Sequence, residues 1–107
     1  MDSISEYDER QLKLMHECLS SFEKNQIELS SLIGSLEFLL NAMESVDEEW
    51  ENKFFKEATI LESINAIEVM EESEKETLKF NKNESIELLS KAVLSLKSLI
   101  QNELGSQ

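Results

Sequence analysis

The chain has 107 residues and a formal net charge of −13, with 23 acids against 10 lysines and arginines. This balance argues against direct nucleic-acid binding and against anionic membranes, because both require cationic contacts. It contains no proline and only Gly34 and Gly105, so a single all-α domain of long helices with short polar joints is expected.

The imbalance is uneven. Residues 1–36 carry a net −4, residues 37–76 a net −10 and residues 77–107 a net +1. A basic protein surface is the partner class this pattern permits most readily, while solubility alone is the plainer explanation. No apolar run approaches the ~20 residues that span a bilayer. The opening "MDSISEYDER" is acidic and polar, unlike a signal or transit peptide. Cys18 is the sole cysteine, so no internal disulfide forms and a reducing cytoplasm is the expected compartment.

The first expected helix runs from about Asp8 to Lys24. Leu12, Met15, Leu19 and Phe22 form its apolar stripe. Asp8 and Gln11 have capping-box spacing. "KNQIE" then breaks the pattern. The second helix runs from about Leu29 to Glu44. Leu29, Leu32, Leu36, Leu39 and Met43 form its stripe, widened by Ile33 and Leu40. Gly34 weakens this helix and suggests close approach of a neighbouring helix.

The third helix is expected to begin after Ser45, which has capping-box spacing to Glu48, and to reach about Glu72. A bend within "EATILES" is one option. "EESEKET" (71–77) reads as a frayed end and connection. The fourth runs from about Lys82 to Glu103, with Asn81 and Glu84 spaced as a capping box. Ile86, Leu89, Val93, Leu96 and Ile100 make the most regular stripe in the chain. Residues 1–7 and 104–107 read as polar termini. Four such helices predict an antiparallel up-down bundle, in which packing of the stripes supplies most of the stability.

The third helix carries the residues that bear on function. Trp50, Phe54, Ala58, Leu61 and Ile64 fall within an arc of roughly 120°, so Trp50 is expected to face the core despite the carboxylates of "ESVDEEWE". Its indole N–H then needs an acceptor or water. Phe55 lies about 100° away from Phe54. Glu48, Glu51, Thr59 and Glu62 share its side. Two readings follow. Phe55 packs on another helix or a homodimer partner, or it anchors an acidic protein-binding surface. Glu71, Glu72 and Glu74 form a second acidic cluster.

Metal and catalytic signals are weak. His16 and Cys18 are two residues apart and point to different sides of a helix. Lys13 stands where a Glu-x-x-His pair would need its glutamate. "DEEWEN" lacks the alternating ligands and glycine of a calcium loop. There is no phosphate loop, nucleophile elbow or zinc motif. No cofactor, metal or catalytic residue is therefore expected, and the chain does not read as an enzyme.

Three stretches carry a resemblance. They are Asp8-Glu9-Arg10-Gln11-Leu12, the run from Leu29 to Ala42 (LSSLIGSLEFLLNA), and Val46 to Trp50 (VDEEW). Over roughly residues 7–67 the chain resembles a family of small acidic helical bacterial proteins. Its members look like immunity proteins of contact-dependent growth inhibition systems. The chain departs from that pattern at Glu28, where the family has serine, and in "KEATIL", which lacks a second tryptophan. The resemblance implies a protein that binds and neutralises a cognate toxin, some such toxins being tRNA-directed nucleases. Glu48, Glu51, Phe55 and Glu62, with Glu71, Glu72 and Glu74, are then the expected contacts to a basic toxin domain. The alternative is an acidic adaptor or self-associating module unrelated to a toxin.

Overall fold

The computed structural model describes residues 5–68 and 82–105, which form four helices, the joints between the first three and the cap residue ahead of the first. The helices are α1 (Glu6–Glu23), α2 (Leu29–Ala42), α3 (Glu48–Glu68) and α4 (Lys82–Gly105). Their main contacts are α1 with α2, α2 with α3, α3 with α4, and α4 with α1. This cyclic adjacency is that of an up-down bundle. The pairs run antiparallel: Trp50 near the start of α3 reaches Leu99 near the end of α4, while Glu23 at the end of α1 meets Lys97 and His16 further back meets Gln101.

The apolar stripes fill the centre as their spacing predicts. Leu12, Met15 and Leu19 from α1, Leu32 and Leu36 from α2, Phe54 and Leu61 from α3, and Leu96 and Ile100 from α4 are essentially inaccessible. Trp50 is also core. It tilts against Phe54 with ring centroids 5.4 Å apart, and its indole N–H donates to the Leu99 carbonyl at 3.0 Å. The polar atom of a large apolar side chain is thus satisfied across the α3–α4 interface.

The helix ends depart from the sequence expectations in instructive ways. Ser5, rather than Asp8, caps α1: its hydroxyl accepts the Asp8 N–H. Gln11 turns back to the Tyr7 carbonyl. Helix α1 therefore starts inside the stretch expected to be a polar terminus, and α4 likewise continues to Gly105.

At the other end of α1, Asn25 takes φ 62°. The Asn25 N–H donates to Phe22 and the Gln26 N–H to Ser21, a Schellman closure with asparagine in the left-handed position. This is why "KNQIE" breaks the pattern.

The α2–α3 joint is organised from a distance. Asp8 is wholly buried, and its two carboxylate oxygens accept the N–H groups of Glu44 (2.8 Å) and Ser45 (2.9 Å). With the Ser45 amide held in this way, the chain travels two residues further before α3 begins. Asp47, not Ser45, caps α3, accepting the Trp50 N–H at 3.2 Å. The expected Asn81 cap and the continuation of α3 to Glu72 fall outside the described residues.

Two further expectations are corrected. A Cβ built on Gly34 would meet nothing within 4 Å, so no described helix approaches it closely. Ile86 is 53% exposed rather than core. Helix α1 turns away at Asn25, so the α4 turn carrying Ile86 lies past its end, and the stripe of α4 is fully covered only from Ala92 onward.

Candidate functional site

The outer flank of α3 next to α2 carries the candidate residues. Glu48, Phe55 and Glu62 are exposed and Glu51 is half-buried. Phe55 and Glu62 are seven residues apart, on one face two turns along the helix. Phe55 is 46% exposed, so no other described helix encloses it. Among the described residues, Phe55 is left partly open rather than enclosed by the bundle. Glu71, Glu72 and Glu74 lie outside the described residues.

The structure adds one residue that α3 alone does not reveal. Glu37 of α2 shares a hydrogen bond with Glu62. Two carboxyls can bond in this way only if a proton lies between them. The hydrogen bond that the protonated Glu62 carboxyl donates to Glu37, then partial desolvation, then the Glu37 charge all push the Glu62 carboxyl above its ordinary pKa. The face therefore spans two helices. It also lacks cations: no lysine or arginine occurs between Lys24 and Lys53. On a helical wheel Lys53 and Lys56 fall on the opposite flank of α3 from Phe55 and Glu62, and Lys53 sits 3.6 Å from Glu49.

A pH dependence follows, and its sign is fixed by the raised carboxyl. The folded state holds this proton more tightly than the unfolded chain, so the contribution to stability is fully present below the unfolded pKa. It fades as pH rises through the raised value. Glu62→Gln keeps a donor facing Glu37 at every pH. This variant is expected to flatten the decline in melting temperature across that window. Thermal unfolding of both proteins from about pH 4 to 8 checks it, and parallel curves would count against the pair.

The other candidate side chains are separated. His16 faces α4, its ring 3.2 Å from the Gln101 side-chain amide. Cys18 is half-buried on the α2 side of α1. Among the described residues, no group of three or more His, Cys, Asp or Glu side chains is placed to hold a metal ion. No described helix is long and apolar enough to cross a membrane.

Phe38 was missed by sequence reasoning, yet it is the most exposed of the described large apolar residues, at 72%. It lies about 180° from Leu29 on the α2 wheel, a signal that was available in the spacing. Comparison with protein-family models, with curated proteins and with solved structures found no match.

Proposed function

We propose that the chain is an inhibitory binding protein whose α2–α3 face docks on a cationic protein surface, and that its partner is a toxin domain with nuclease activity. The observation that carries this reading is the continuous acidic face from Glu37 through Glu48, Glu51 and Glu62, with Phe55 exposed among the carboxylates. A nuclease that grips tRNA needs a cationic cleft. An acidic helical face can enter such a cleft, exclude the RNA and be steered there by long-range attraction. The exposed aromatic gives that face a desolvating anchor of the kind that dominates interface energies. The inhibitor itself needs no catalytic residue, metal or cofactor. The resemblance over residues 7–67 points to the same role.

The test is copurification with the C-terminal domain of the toxin encoded beside this gene, followed by a tRNA-cleavage assay with and without the chain. Protection at equimolar chain supports the reading. A stable complex that leaves cleavage intact would favour the adaptor reading instead.

A further inference from the structure

A second face of the bundle differs from the acidic one in chemistry and position. Between α1 and α2 lies an open groove of about 550 Å³. Its bulky residues are Leu14 and Phe38, 40% and 72% exposed. Its small ones are Cys18, Ser31, Gly34 and Ser35. A projecting ring thus stands beside a notch on the same surface. Gly34 lies at the notch, and the space above it is open. A glycine inside an exposed helix turn costs about 1 kcal/mol relative to alanine, and no contact among the described residues requires one here.

The charges around the groove identify what fits it. The residues three and four positions from Leu14 on its helix face are Glu17 and Arg10, of opposite sign. Within α2 the only charged residue is Glu37, which bonds toward α3, and exposed Glu28 stands at the helix N-cap, three residues before Ser31. In a chain of net charge −13 this face is nearly neutral, with Arg10 against Glu17 and Glu28. A basic partner gains little by docking there, and a second copy meets little of the repulsion that the acidic face would impose. Knob and notch on one surface are what a two-fold, self-complementary interface requires.

We propose that the α1–α2 groove is the contact between two copies of this chain, with Phe38 of each entering the notch at Gly34 of the other. This leaves both α2–α3 faces outward. The footprint is small. Helix α2 is about 21 Å long and two helices side by side are about 20 Å wide, so roughly 800 Å² is covered in total. Interfaces of that size are weak, so the dimer forms in the micromolar range.

Sedimentation velocity on the full chain between about 5 and 500 µM, which brackets such an affinity, tests this. The mass is expected to rise from 12.3 kDa toward twice that value. Phe38→Ser and Gly34→Leu should each weaken association at least tenfold. Gly34→Leu is the decisive variant, because it fills the notch while placing a better helix former in open space. Its circular dichroism should remain native and its melting temperature should not fall. Alkylation of Cys18 should slow with concentration in the parent chain and lose that dependence in Gly34→Leu. A parent chain that stays monomeric throughout, or a dimer indifferent to both substitutions, overturns the proposal. So does a monomer whose binding to a basic partner is lost in Phe38→Ser, which would assign the groove to that partner.

Discussion

Asp8→Ala is expected to destabilise the bundle by about 2–4 kcal/mol, a large fraction of the stability of a domain this size. The carboxylate is completely buried and accepts two backbone N–H groups from the α2–α3 joint, 36 and 37 residues away. Hydrogen bonds to a charged group contribute about 1.5–3 kcal/mol each. The upper sum is reduced because Glu44 and Ser45 are exposed and water can reach their amides once Asp8 is gone. Asp8→Asn retains one acceptor oxygen but turns an NH₂ toward the second amide, so it should fall between the parent and Asp8→Ala. Urea unfolding with a constant slope and a shifted midpoint is the expected result. A midpoint unchanged in Asp8→Ala would mean that the joint holds itself. The same loss should loosen the start of α3, since the joint sets where Asp47 begins that helix.

Reversing charge at Glu48, Glu51 and Glu62 together should slow association with the proposed basic partner by about 10- to 100-fold at low salt. The rates should converge as salt rises, because the attraction acts over a screening length of about 8–10 Å at ordinary ionic strength. The fold should survive. Glu48 and Glu62 are exposed and Glu51 only half-buried, and substitutions at such positions usually shift stability by less than about 0.5 kcal/mol. Stopped-flow association rates across a salt series, with thermal melts as control, separate the two effects. Unchanged rates with an unchanged salt slope would move the contact surface elsewhere. Phe55→Ala, by contrast, should act mainly on dissociation, because a buried anchor holds a complex together without steering it.

The two surfaces divide the work of the exposed aromatics. Phe55 stands among carboxylates on α3, and Phe38 stands on a nearly neutral face beside a notch. A self-association that buried Phe55 would bring two strongly acidic faces together. The nearly neutral α1–α2 face avoids most of that repulsion.

The four apolar stripes were legible before any coordinates, because 3-4 spacing on a helix leaves few ways to bury them. Trp50 is the clearest case. Its wheel position outweighed the five carboxylates around it, and only its acceptor, the Leu99 carbonyl, awaited the fold. Phe55 was legible for the same reason, as the aromatic off the stripe.

Local composition, charge and periodicity therefore determined the class of fold, the inward face of each helix and the acidic character of α3. Long-range geometry decided the rest. Asp8 looked like a cap for its own helix because spacing reports neighbours in sequence, whereas its partners come from another joint. Ile86 fitted the stripe of α4, but burial depends on how far the adjacent helix extends. Gly34 suggested a close helix, but only the packed bundle shows open space above it. Glu37 joined Glu62 because α2 and α3 lie side by side, a proximity that no period along one helix can encode.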